Sequence, residues 1–170
     1  MTSRARDLDA TDQRLIELLV ANGRMSNHAL AEIVGVSESA CHARVRALIE
    51  AGVIEGFQAK VNSTALGRPL QAVVLVKLQA GARSQLVAES RRLTATDGVV
   101  EVLFLTGAFD LMIQVAVPSP AALRDFVIRE LNASPAVAVT ETSVVMERSP
   151  GRALKPIIHD PDPPPARRRH

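Results

Sequence analysis

The chain has 170 residues, 47% of them hydrophobic and 22% charged, with a formal net charge of +2, which suits one or two small domains that each bury a core. No apolar run reaches the ~20 residues that span a bilayer, the first residues lack the apolar stretch of a secretory signal, and the single cysteine, Cys41, excludes an internal disulfide. A soluble cytoplasmic protein is the expectation. Residues 1–62 hold 7 Lys/Arg against 8 Asp/Glu, residues 63–150 hold 8 of each, and the excess of positive charge lies beyond them. Bulk charge therefore gives no argument for nucleic acid, and the placement of single cations has to.

Taken in order, Asp9 can cap a first helix running to about residue 21, with Asp12 placing negative charge in its first turn. Leu15, Ile16, Leu18 and Leu19 form its apolar face, and Gly23 is the expected stop. Ser26 can cap a second, short helix that buries Leu30, Ile33 and Val34, and Gly35 offers the positive φ that ends it. Only Val36 separates this glycine from Ser37, which can cap a third helix over 38–51. Two helices joined by so few residues, one of them glycine, carry the helix-turn-helix signature.

At 100° per residue the third helix buries Cys41, Val45, Leu48 and Ile49 and turns Ser39, Ala43, Arg46 and Glu50 outward, with His42 and Arg44 on the flanks. Small residues followed by an arginine let a helix enter a major groove by its N-terminal half. Ser37, Ser39, His42, Ala43, Arg44 and Arg46 are the candidate DNA-facing residues, with Arg46 reading bases and Arg44 gripping phosphate. A merely solvated face is the plain alternative, and the capped helix and glycine turn before it argue against that.

Residues 53–61 read as an extended wing or strand. A hinge is expected over 63–70, where Gly67 and Pro69 stand, so the chain divides into a DNA-binding domain over 1–62 and a second domain over 71–156. The second domain alternates: strands over 71–79, 99–106, 111–117 and 137–148, with helices over 83–94 (Leu86, Val87, Leu93 inward) and after Ser119 and Pro120 (Leu123, Phe126, Val127, Leu131 inward). The order βαββαβ suits a ferredoxin-like sheet with both helices on one face, so the whole is α+β, a winged helix-turn-helix followed by that domain. The strands are apolar on both faces: Ala72, Val74, Val76 and Leu78 against Val73 and Leu75, and Val100, Val102 and Phe104 against Val99, Leu103 and Leu105. Helices cover one face only, which predicts a homodimer through the other. Residues 157–170, rich in proline and arginine, are an expected disordered tail.

The runs SESAC and RVRALIEAGVIEGF, then LTGAFDLMIQV and TETSVVM, resemble the leucine- and asparagine-responsive (Lrp/AsnC) transcription regulators from about Leu8 to Pro156. The resemblance implies dimers built up into tetramers or octamers and a small effector, often an amino acid; double-stranded DNA is the expected partner, and with no zinc spacing or phosphate-binding glycine loop in the sequence no cofactor or metal is expected. This chain departs from the family pattern with His42 and Ala43 in the recognition helix and Leu111 after the TGxxD aspartate. The expected effector site is the loop of Thr106, Gly107 and Asp110, with Thr140, Thr142 and Ser143 of the last strand nearby. Amides around Gly107 can hold a carboxylate and Asp110 an ammonium; a tight turn shaped by the same two residues is the alternative. With first and last strands expected at opposite edges, joining loop and hydroxyls would take a neighbouring subunit. Rival readings are an architectural DNA-binding protein without effector and, from the same architecture, an enzyme of the sirohaem-decarboxylase kind. The four histidines, His28, His42, His159 and His170, are scattered, and no enzyme is expected.

Overall fold

The computed structural model describes residues 8–149 and residue 151; the expected tail over 157–170 lies outside the described residues. Two compact units divide the chain between Ala59 and Lys60.

The first unit is three helices, α1 (Ala10–Ala21), α2 (Asn27–Val34) and α3 (Glu38–Glu50). Each starts on a side-chain cap. Asp9 Oδ1 accepts from Asp12 N at 2.8 Å, Ser26 Oγ from Ala29 N at 3.2 Å, and Ser37 Oγ from Ala40 N at 3.2 Å. A cap of this kind stabilises a helix by about 1 kcal/mol. Gly35, at φ +77°, closes α2, so the turn into α3 is as tight as the sequence requires. Leu15, Leu19, Leu30, Ala31 and Cys41 make the core, with Met25, Val34, Val45 and Ile54 packed against it.

Three expectations change here. Ile33 and Ile49 point out, 51% and 42% exposed, because Leu30, Ala31 and Val34 already occupy the inward stripe of α2, and Cys41 and Leu48 that of α3. Gly23 does not stop α1. The helix closes on Asn22, whose N–H bonds Leu18 O, and Gly23 instead leaves room for Phe57, whose Cδ1 lies 3.2 Å from where a β-carbon would stand. The strand expected over 53–61 does not form. Val53 N and Ile54 N both bond Leu48 O, at 2.9 and 3.2 Å, and Gly52 turns the chain at φ +70°; the rest of the segment finds no strand partner among the described residues.

The expected hinge belongs to the second unit. Asn62 Oδ1 accepts from Thr64 N at 2.9 Å, Arg68 N bonds Ser63 O at 2.8 Å, and Gln71 Nε2 donates to Ser63 Oγ at 2.9 Å. A turn bonded this closely is an ordered entry to the sheet, and the division falls before it, after Ala59.

That sheet holds β1 (Leu70–Leu78), β2 (Val99–Phe104), β3 (Leu111–Val117) and β4 (Val137–Val144) in the order β2-β3-β1-β4. Every pair is antiparallel. The two βαβ halves interleave, each dropping a strand between the strands of the other. First and last strands are therefore neighbours, contrary to expectation, and the edges are β2 and β4. The core lies under one face: Ala72, Val74, Val76, Leu111, Ile113 and Val115 pack against Leu93, Leu123, Phe126 and Leu131 of the helical segments.

Local irregularities refine the alternation. A register shift between Val99 and Glu101 puts two β2 residues opposite one of β3. Val99 thereby joins Val102 against the core, rather than standing on the opposite face. A 3₁₀ segment, Ala80–Gln85, precedes α4 (Leu86–Thr94), which buries Glu89, Ser90 and Leu93 while Val87 is 56% exposed. Helix α5 (Pro120–Phe126), capped by Ser119, runs on into a wider turn, Val127–Asn132, with Ala133 N bonded to Ile128 O five residues back. Arg92 of α4 reaches across to the Glu130 backbone carbonyl and to its carboxylate at 2.9 Å. The face away from the helices carries Val73, Leu75, Leu103 and Met112 beside Gln114, Glu101, Glu141 and Ser143.

Candidate nucleic-acid interface and effector loop

Helix α3 presents Ser39, His42, Ala43 and Arg46 to solvent, the set expected to face DNA. Ser37 is exposed at its start, but its hydroxyl is engaged in the cap and lies 3.2 Å from Ser39 Oγ. Arg46, 72% exposed, donates from Nε to Glu50 Oε1 at 2.8 Å, one turn on. A solvated pair of this kind is weak and opens readily.

Arg44 behaves differently. Its Nη1 donates to Asp9 Oδ2 at 2.7 Å and to Asp12 Oδ1 at 2.9 Å. Asp12 is 1% exposed, so a carboxylate expected to decorate the first turn of α1 is inside the unit and bonded across it. The Asp9 carboxyl is held below its ordinary range, first by the Asp12 backbone N–H and then by Arg44, while the two carboxylates push the Arg44 guanidinium up. The cation expected to grip phosphate is turned back onto α1. No local signal announces this pairing, because the partners stand 35 and 32 residues apart.

In the second unit, Thr106 is exposed and Gly107 sits at φ +129°, in the glycine region. Leu105 N bonds Asp110 O, Asp110 N bonds Val76 O, and Asp110 Oδ2 accepts from Leu78 N at 2.8 Å. The aspartate expected to meet an ammonium thus fastens the β2–β3 loop to the end of β1. The three β4 hydroxyls do not converge. Thr140 and Thr142 stand opposite Val76 and Val74 on the helix-covered face, whereas Ser143 stands opposite Val73 on the other, as a period of two demands. Thr140 Oγ1 donates to Asn132 Oδ1 at 3.4 Å. Since Leu111, Val76 and Thr140 lie side by side across three strands, the loop and Thr140 are about 10 Å apart within one chain, and no neighbouring subunit is needed to bring them to the same end of the sheet.

A further ion pair escaped the sequence. Arg68 Nη2 bonds both Asp97 oxygens, at 2.7 and 2.8 Å, and Nη1 bonds Ala116 O at 3.2 Å; the guanidinium holds the Asp97 carboxyl below its usual range. Gly98, at φ +87°, lets the guanidinium pass, since a β-carbon there would lie 3.2 Å from Nη1. Among the described residues no group of three or more His, Cys, Asp or Glu is placed to hold a metal ion, and no helix is long and apolar enough to cross a membrane.

Residues 8–55 match the winged helix-turn-helix DNA-binding family, and residues 71–153 match the Lrp/AsnC ligand binding domain. The chain belongs to the Lrp/AsnC family. The HTH-type transcriptional regulator AldR of Mycobacterium tuberculosis is 41% identical over 150 residues, covering 88% of this chain and 84% of that protein. The leucine-responsive regulatory protein of Rhizobium meliloti is 37% identical over 142 residues, covering 84% and 91%. Among solved structures, Escherichia coli AsnC superposes with a TM-score of 0.77 at 28% identity, covering 87% of this chain and 98% of that one. A Neisseria meningitidis regulator in complex with L-Met superposes with a TM-score of 0.78 at 28% identity, covering 88% and 96%. As an Lrp/AsnC member the protein is a helix-turn-helix transcriptional regulator with a ligand-binding domain, and the relatives named are regulators, not enzymes.

Proposed function

We propose that this Lrp/AsnC protein is a sequence-specific DNA-binding regulator that acts as a homodimer or a larger assembly of dimers and answers to a small effector, an amino acid with an aliphatic or medium-sized side chain. The observation that carries the reading is the outward half of α3, where Ser39, His42, Ala43 and the 72%-exposed Arg46 share one side. Small residues allow close approach to base edges, and an arginine at the end of the stripe suits a bidentate contact to guanine. In a dimer two such helices read half-sites about one helical turn, or a multiple of it, apart. The sheet face with Val73, Leu75, Leu103 and Met112 supports pairing with a second copy.

The effector is placed at the β2–β3 loop, where the exposed amides around Gly107 suit a carboxylate. The L-Met complex of the Neisseria relative supports an amino acid. Asp110 then serves chiefly to hold the loop, through Leu78 N–H. The experiment is a selection from a random duplex library with the full-length protein, followed by binding curves for Arg46→Ala on the enriched and scrambled duplexes. Loss of about 1–3 kcal/mol on the enriched duplex alone supports base reading; equal loss on both refutes it. A thermal-shift screen against the twenty amino acids, repeated on Gly107→Val, tests the effector: a shift that survives the substitution places the pocket elsewhere.

A further inference from the structure

We infer that Arg44 is a positioning residue, a strut from the recognition helix to α1 that fixes the depth and rotation of α3, and that it makes no phosphate contact. The inference rests on the DNA-reading role of α3 given above. Its basis is the geometry around one guanidinium nitrogen. Nη1 meets Asp9 Oδ2 at 2.7 Å and Asp12 Oδ1 at 2.9 Å, and the Arg44 side chain is only 34% exposed, half the figure for Arg46.

The acceptors are fixed in their turn. Asp9 is the cap of α1: its Oδ1 accepts from Asp12 N at 2.8 Å while Oδ2 holds Arg44, so its two oxygens serve two helices. Asp12 is buried, and a carboxylate so placed needs its cation partner. Pulling Arg44 toward a phosphate would break its bonds to two carboxylates at once, one of them buried, whereas pulling Arg46 from Glu50 costs little because both side chains are more than 60% exposed. The two arginines are two residues apart in α3, yet one is tied to α1 and the other is available.

The need for such a strut follows from the contacts of α3. Its inward side chains, Cys41, Val45 and Leu48, form one narrow stripe about two turns long. A narrow stripe fixes rotation about the helix axis only weakly. Arg44, to one side of that stripe, supplies a contact off it. Rotation is the variable that decides which side chains of a recognition helix reach base edges.

Full-length protein carrying Arg44→Met, Asp12→Asn, Asp9→Asn or Arg44→Lys is titrated with the duplex enriched by the parent and with its scrambled form. Titrations run well below melting across a salt series, with the active fraction counted stoichiometrically so that lost fold is not read as lost affinity. The strut predicts that Arg44→Met and Asp12→Asn each reduce discrimination between the duplexes about tenfold or more, leave the salt slope at the parent value, and combine without adding. Arg44→Lys, which keeps a cation, restores part of the loss. Asp9→Asn, which keeps the cap, gives a smaller loss and stands in if the buried-site variants do not fold. A phosphate contact predicts the opposite sign for Asp12→Asn, which would release the cation and tighten DNA, and a slope lowered by about 1 for Arg44→Met. Either result overturns the strut, as does discrimination unchanged in every variant. A parent that enriches no sequence overturns the recognition reading and this inference with it.

Discussion

The two units solve the same problem with different means. The sheet unit holds fourteen buried residues in one cluster and ties its four strands by antiparallel ladders, while the helical unit has five in its main cluster. A small three-helix core cannot fix every rotation by packing, and here a buried carboxylate and an arginine add a directional constraint that dispersion does not supply. The sheet unit also buries a carboxylate, Glu89, held by Arg92, which reaches on to Glu130, while Arg68 pins a turn at its edge. In the small unit such a pair bears on orientation; in the large one it adds to a core that packing already fixes.

The contrast can be broken most strongly by emptying the cores. Leu15→Ala and Ile113→Ala each remove a fully buried side chain and should each cost about 2–5 kcal/mol in chemical denaturation. The helical unit has less to lose, so hydrogen exchange should show amides of 10–50 opening fully in Leu15→Ala, while Ile113→Ala leaves part of the sheet protected. Equal and complete loss of protection in both would mean that core size does not separate the units.

Next in size is Asp110→Ala. Removing the acceptor from the buried Leu78 N–H should cost about 1.5–3 kcal/mol without any ligand present, and Asp110→Asn should recover part of it. A denaturation midpoint unchanged in Asp110→Ala would show that the loop is held by other bonds.

Acid provides a gentler probe. Asp9 is held below its ordinary range first by the Asp12 backbone N–H, and Glu89 first by Arg92. A carboxylate depressed in the folded state contributes stability that is present above its unfolded value and is lost as pH falls through the folded one. Urea midpoints should therefore hold steady above about pH 5 and decline below about pH 4. Arg92→Met should flatten the part of that decline reported by the sheet unit and leave the helical part alone.

The smallest effect is expected at Glu50→Gln. Loss of the exposed partner of Arg46 should leave the denaturation midpoint where it was while tightening binding to scrambled DNA, since one negative charge leaves the DNA-facing side. A lowered midpoint would show the pair to be structural after all.

What could be read from the sequence was what is local. The caps at Asp9, Ser26, Ser37 and Ser119 were legible because a cap and its target lie within three residues, and strand β3 was legible to the residue because it is central and apolar at every position but Gln114. The β2 alternation was misread because a bulge leaves no mark in a run of valines. The neighbouring of β1 and β4, and the embrace of Arg44 by Asp9 and Asp12, depend on residues far apart in the chain. For the same reason, the hydroxyls of Thr140, Thr142 and Ser143 looked like one group in the sequence and stand on two faces in the sheet.

The wide turn at Val127–Asn132 acts on the chain as a phase shifter. By taking up one residue more than an ordinary turn, it advances everything after it by one place, as if a letter had been inserted into a repeating text. Leu131 arrives fully buried and Asn132 arrives beside Thr140. Deleting a single residue there would tighten the turn to the ordinary pitch and rotate its end by about 100°. The core would lose Leu131, and β4 would enter the sheet out of step. Related chains that differ in length at this point should show the deletion offset by an insertion before Val137.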